Sequence, residues 1–484
     1  MLTHLLCLLP VVGSGGDDAS LERALEAVQP ASMRADLGWL ASDELRGRDT
    51  PSPELLLASL YLRNRVERLG FRPGAADGWF HEYPLHSWWL DAGASRLEVR
   101  AGEESWELRF GSDYFFQLGR DAVDLELEGG VVCVGEADED ELEGLDLEGR
   151  WALILDTGRT LRKKLKVCFA AGAAGALVTP GPDYRRDPYA DKYTRRATAL
   201  LEPSRPSIRE RSSEEPTQPV VMLPRSSGAR LFALAALSAD GGYPETGQTL
   251  DLVVKEERRL GRSAEPVRNV CALWPGSDPE LSREVMIVSA HYDHVGVGRE
   301  GDIYNGADDN ASGTTGVLAV ADALAAHGPL ERSVLLLWVS GEEKGLWGSQ
   351  VWTENPWLPD GWRAVLDVNI DMIGRTESGE LYVTPSREHE AFNLVSEAAY
   401  RLSPLEGFPE LESQDEYWRR SDHMNFNDNL GVPVVFLSTG DHPDYHQPSD
   451  TSEKIDYEKS SRVVRLVVRL LAELDGAPAG TITR

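Results

Sequence analysis

The sequence predicts an α/β protein with a mixed, mostly parallel sheet flanked by helices, interrupted by a β-rich insertion. Two patterns predict the sheet and its helices. Short runs of branched apolar residues, Val285–Ala290, Val334–Ser340, Val365–Ile370 and Val432–Leu437, read as strands buried on both faces. Between and after them come segments with apolar residues on a helical period: Thr314–Ala326, Leu346–Trp352, Glu388–Leu402 and Asp456–Leu474. This alternation implies βαβ units with right-handed crossovers. A third pattern predicts the insertion: from about Leu97 to Val254 short strand-like runs alternate with turns.

Taken in order, residues 1–16 hold an apolar run, Leu5–Val12, and then Gly13-Ser14-Gly15-Gly16. That order is expected of a secretory signal, and hence of an exported, periplasmic or secreted chain. Residues 17–96 form the first part of the main domain. Helices are expected over 18–29, stopped by Pro30, over Ala31–Leu40, and over Glu54–Leu69, where Gly70 can cap the end. Trp79–Leu85 reads as a strand. Within the insertion, 97–254, strands are expected at Leu97–Val99, Gly129–Val134 and Trp151–Leu155. The small-residue stretch Ala170–Ala176 suits a helix packed closely on a sheet, and Tyr184–Thr217 reads as a long polar loop. Residues 255–476 complete the main domain, opening on a strand at Asn269–Leu273, and 477–484 form a tail.

Composition narrows the function. A chain of 484 residues is long enough for two domains, and a net charge of -31 excludes a nucleic-acid binder, because nothing offsets phosphate repulsion. No internal apolar run approaches the roughly 18 residues that cross a bilayer. Cys133, Cys168 and Cys271 sit in apolar contexts without CxxC spacing and are expected as buried small hydrophobes.

The chemistry-bearing residues lie just past the predicted strands. His291 ends the first; Glu342-Glu343 follow the second after Gly341; Asp371 closes the third; His446 follows the fourth. Asp308 sits in the acidic turn Asn305-Gly306-Ala307-Asp308-Asp309-Asn310-Ala311-Ser312-Gly313. Functional groups in α/β sheets collect beyond the carboxyl ends of strands, so these six residues can converge at one rim. Two histidines and three carboxylates suffice for two metal ions if one carboxylate bridges. The mixed nitrogen and oxygen set suits zinc, without excluding cobalt or manganese. The spare carboxylate can serve as general base. His294 and His423 are expected among ordinary surface polar residues, and Trp347, Trp352, Trp357 and Trp362 among packing residues.

Five motifs in order, His-Tyr-Asp-His, Asn-Gly-Ala-Asp-Asp-Asn-Ala-Ser-Gly, Gly-Glu-Glu-Lys-Gly-Leu-Trp-Gly-Ser, Asn-Ile-Asp-Met-Ile-Gly and Tyr-His-Gln-Pro-Ser-Asp-Thr, span residues 291–451. Together they resemble the co-catalytic di-zinc exopeptidases of clan MH, the bacterial leucyl aminopeptidase and glutamate carboxypeptidase-like family. Weaker similarity extends to Ala41–Arg48 and to the insertion, which resembles a protease-associated (PA) domain. The resemblance implies the zinc-exopeptidase phosphorylase/hydrolase-like fold and two zinc ions per chain. It implies that His291 and Asp371 bind one zinc, Glu343 and His446 the other, and that Asp308 bridges them, with a cis Asp308–Asp309 peptide. Glu342 is implied as general base and then acid. Asp293 and Asp450 are implied to orient His291 and His446, Asp309 to be strained or to stand behind the ligands, Tyr445 to donate to the oxyanion, and Arg420 to touch substrate.

The leading expectation is a di-zinc aminopeptidase acting on peptides. A carboxypeptidase or dipeptidase on the same site would need a cation for the substrate carboxylate. Relatives also exist that lost their metals and serve as receptors or scaffolds, or that use one zinc for glutaminyl cyclisation. The complete ligand set and Glu342 argue against both.

Overall fold

The computed structural model describes residues 17–117, 123–158, 160–184, 189–209, 218–237 and 242–483, so the signal-like segment 1–16 lies outside the described residues. The chain divides into two compact units. One runs up to Pro84 and resumes at Pro266; the other is Leu85–Glu265. Both boundaries fall inside long strands, Phe80–Leu90 and Leu260–Trp274, so the divisions lie outside the 97–254 segment whose composition marks the insertion.

In the first unit we label the strands β1 (Leu260–Trp274), β2 (Glu284–His291), β3 (Ser333–Val339), β4 (Arg363–Ile370), β5 (Tyr382–Thr384) and β6 (Val434–Ser438). The helices are α1 (Asp17–Ala27), α2 (Pro30–Leu40), α3 (Pro53–Arg68), α4 (Gly313–His327), α5 (Trp347–Glu354), α6 (Leu394–Leu402) and α7 (Tyr457–Asp475). The sheet order is β1-β3-β2-β4-β6-β5, extended at its ends by Arg72–Pro73 and Glu412–Ser413. The central pairs β2–β3, β2–β4 and β4–β6 are parallel, while β1 and β5 join antiparallel.

The apolar runs are continuous because both faces of this sheet are covered. All eight residues of β2 are buried. Met286, Val288 and Ala290 join the core with α4 and α7, while Val285 and Ile287 pack on the opposite side with Trp352, Phe426 and Val434. Local signals fix the helix starts. The Ser52 hydroxyl accepts from the Leu55 N–H at 3.0 Å at the head of α3, and Asn393 accepts from Val395 and Ser396 at the head of α6. That cap corrects the expected helix 388–402: residues before Asn393 form turns. Because the four parallel strands point the same way, their carboxyl ends form one rim.

The second unit holds a mixed eight-stranded sheet. Its parallel stretch is Leu125–Cys133, Trp151–Asp156, Gly175–Pro180 and Val220–Met222, with antiparallel strands at either side. Helices Leu161–Ala170, Tyr189–Leu201 and Arg225–Leu234 accompany it. The small-residue stretch is therefore not a helix. The helix stops at Ala170, Gly172 turns the chain at φ +94°, and the strand begins at Gly175. A side chain at Gly175 would meet the buried Trp151 ring at 2.6 Å, so the small residues admit that indole. The expected loop 184–217 contains the helix Tyr189–Leu201. Cys133, Cys168 and Cys271 are buried, as expected, and unbridged. Among the described residues no helix is long and apolar enough to cross a membrane.

Candidate metal centre

The loops beyond the parallel strands bring the predicted residues together. His291 is the last residue of β2 and is 1% exposed. Its Nε2 lies 3.3 Å from Asp371 Oδ1, at the end of β4, and 3.4 Å from Asp309 Oδ1. His446 Nε2 lies 3.1 Å from Glu343 Oε2 and 3.0 Å from Asp309 Oδ2. Two groups of donor atoms result, each with its members within 4.8 Å of one another: His291, Asp309 and Asp371; and His294, Asp309, Glu343 and His446.

Asp309, not Asp308, is common to both groups. The two residues face different ways because the loop is pinned at several points. The Asp450 carboxylate accepts from the N–H of Asp308, at 3.0 and 3.1 Å, and of Asp309, at 3.2 Å. Asp308 Oδ1 accepts from Gly374 N–H at 2.7 Å, and its Oδ2 faces His442 Nε2 at 3.2 Å. Asp309 therefore stands where the two groups meet, the place expected for Asp308. The cis bond is Asp309–Asn310 rather than Asp308–Asp309. Asn310 in turn ties the loop to the end of β4, donating to Ile370 C=O and accepting from Met372 N–H.

The supporting residues also differ from expectation. Asp450 holds the backbone under Asp309 rather than orienting His446. Asp293 is close to its implied place: its main-chain oxygen meets His291 Nδ1 at 3.2 Å and its carboxylate at 3.7 Å. The same carboxylate accepts from the Thr50 hydroxyl and from Glu342 N–H, joining the β2 and β3 ends. His294 and His423 are not surface residues; both are fully buried. His423 stacks on Phe436, with centroids 4.9 Å apart, and burial pushes its imidazole down to about 3. His294 stands in the second donor group.

Three further contributors were not read from the sequence. Ser421 donates to Asp371 Oδ2 at 2.9 Å, which fixes which oxygen faces His291. Asp422 is fully buried and accepts from Ser349. Arg48, 1% exposed, donates to the carbonyls of Tyr292, Asn305, Gly306 and Leu40. A dense polar run at Asp43–Arg48 was the available signal for Arg48; nothing local marks the other two.

Glu342 lines a cleft with Asp309, Asp371, Tyr445, Arg420 and Tyr417. Burial, reinforced by Asp422, Glu343 and Asp371 and opposed by His291, pushes its carboxyl well above the usual range. Around Asp309 the balance reverses. Burial disfavours its charge, but His294, His291 and His446 hold it well below the usual carboxylate range. Arg420 sits over the Tyr417 ring, 4.4 Å from its centroid.

The donor set fits a divalent metal. His291 Nε2, Asp309 Oδ2, Glu343 Oε1, Asp371 Oδ1 and His446 Nε2 are buried and have no hydrogen-bond partner. Buried polar atoms left unpaired are costly, and here they face one another rather than the protein. Imidazole nitrogens mixed with carboxylate oxygens suit zinc.

Comparison with known proteins finds similarity over the segment that carries the site. Residues 269–471 match Peptidase family M28. A "Probable leucine aminopeptidase" of Arthroderma benhamiae is 30% identical over 205 residues, covering 40% of this chain and 56% of that protein. "Aminopeptidase YwaD" of Bacillus subtilis is 28% identical over 198 residues, covering 39% and 41%. The chain thus spans about half the length of the curated relatives it matches. The solved "Aminopeptidase from Aneurinibacillus sp. strain AM-1" aligns over 93% of this chain and 95% of its own at 18% identity, with a TM-score of 0.48. The matched segment is the one that carries the donor groups and Glu342, and over it the chain resembles peptidase family M28.

Proposed function

We propose that the chain is a zinc-dependent exopeptidase, and specifically an aminopeptidase that removes N-terminal residues from peptides. One observation carries the reading: two donor groups share Asp309, and the half-buried Glu342 lies beside them in a cleft. In this reading His291, Asp309 and Asp371 hold one ion and Asp309, Glu343 and His446 the other. Bound there, such a pair polarises a carbonyl and makes water a usable nucleophile near neutral pH.

The chain's own groups do the rest. Glu342 takes the proton of the attacking water and returns it to the leaving amine; its raised proton affinity suits the second task. Tyr445, in the same cleft, donates to the oxygen that gains charge. Asp441, a cleft carboxylate outside both donor groups, can pair with a substrate ammonium. Arg420 is the observation that favours a second reading, a carboxypeptidase, by pairing with a terminal carboxylate. A tripeptide, its N-acetylated form and its C-amidated form separate the two. An aminopeptidase cleaves the amidated peptide and spares the acetylated one; the reverse means a carboxypeptidase. Cleavage of none of them, with zinc present, overturns both.

The PA-like reading of the insertion, with a role in substrate access, and export directed by residues 1–16 belong to the same proposal. N-terminal sequencing of the chain after expression with its leader tests the second.

A further inference from the structure

We infer that His294 is a direct ligand, so that the metal position of Glu343 and His446 has four protein donors while that of His291 and Asp371 has three. This rests on the metal reading above and deepens it. His294 is fully buried, and neither ring nitrogen has a hydrogen-bond partner. Its Nδ1 lies 2.8 Å from Glu343 Oε1 and 3.6 Å from Asp309 Oδ2. The ring meets that of His446 edge to face, with centroids 5.4 Å apart.

The chain makes room for this ring deliberately. Gly306 stands at φ +57°, and a side chain there would meet His294 Cγ at 2.4 Å. Its backbone is held as well, since His294 N–H donates to Arg48 C=O at 3.2 Å. A buried imidazole with both nitrogens unpaired needs a proton partner or a cation, and the donors around it are two carboxylates and another imidazole.

The consequence is an unequal pair. Four protein donors close a tetrahedral shell, as in retained structural sites; three leave a place for water or substrate. The His294 position should fill first and empty last.

Two measurements on the zinc-loaded full chain test this. X-ray absorption at the zinc edge should count three imidazoles for two ions; a count of two overturns the inference whatever any variant does. Zinc release to a chromophoric chelator should be biphasic. In His294→Ala the slow phase should accelerate by more than the roughly 10–100-fold that loss of an outer hydrogen-bond partner costs, with the fast phase unchanged. His294→Gln should not restore it. Restoration by Gln, or an unaltered slow phase in the Ala variant, overturns the inference and leaves the two-ion reading intact. Failure of the wild-type chain to take up zinc overturns both.

Discussion

Replacing Arg48 with methionine tests how the site is supported. The guanidinium is 1% exposed and serves four carbonyls: Tyr292 at 2.9 Å, Asn305 at 2.8 Å, Gly306 at 3.0 Å, and Leu40. Burial pushes it down to about 10, with Asp293, Asp309, Asp450 and Glu343 opposing, so it stays charged at neutral pH. Methionine keeps the apolar stem but leaves those oxygens without their donor. Each orphaned buried acceptor costs about 1–3 kcal/mol. Gly306 C=O keeps the Ala311 N–H as donor, so three oxygens are orphaned; at the low end the loss is about 3 kcal/mol, equivalent to roughly 5 °C in melting temperature for a unit of this size. Lysine keeps the charge without the planar fork and should recover only part of it. Because Tyr292, Asn305 and Gly306 flank His294 and Asp309, zinc retention should fall together with stability. Thermal unfolding and metal content of the two variants check this. An Arg48→Met chain within about 1 kcal/mol of wild type, holding its zinc, would refute the reasoning.

Two further outcomes follow. Asp309→Asn should reduce bound zinc to one ion per chain or less, whereas Asp308→Asn, which keeps an acceptor for Gly374 N–H, should retain two; elemental analysis after dialysis decides which aspartate bridges. In the second unit, Glu256 is fully buried beside Arg258, and burial raises its carboxyl from 4.5 to about 7. The folded state therefore binds the proton more tightly than the unfolded state. Wild type should lose stability relative to Glu256→Gln as pH rises from about 4.5 to 7, by at most about 3 kcal/mol, and the difference should be flat above that. A difference independent of pH in thermal unfolding would contradict it.

The sequence made most of the first unit legible because its strands are buried on both faces, which leaves uninterrupted apolar runs such as Val285–Ala290 and Val365–Ile370. Strand ends then placed His291, Glu342, Glu343, Asp371 and His446 at one rim. What periodicity does not encode is which of two adjacent, chemically identical side chains turns inward. Asp308 and Asp309 differ only through the hydrogen bonds that Asp450 and Gly374 impose from distant parts of the chain and the tie of Asn310 to Ile370. His294 was hidden for a related reason. A lone histidine past a strand is ordinarily solvated, and the space for its ring comes from Gly306, twelve positions away. The helix Tyr189–Leu201 lay within a polar, proline-bearing stretch whose composition masked its helical period.

The most direct test of the central claim is Glu342→Gln, assayed for metal content and turnover together on the unblocked tripeptide. Glu342 belongs to neither donor group, so the variant should hold the same zinc as wild type while turnover falls by about 10²–10⁴-fold or more. Turnover near wild type would contradict Glu342 as the proton carrier; loss of zinc along with turnover would contradict its place beside, rather than among, the metal ligands.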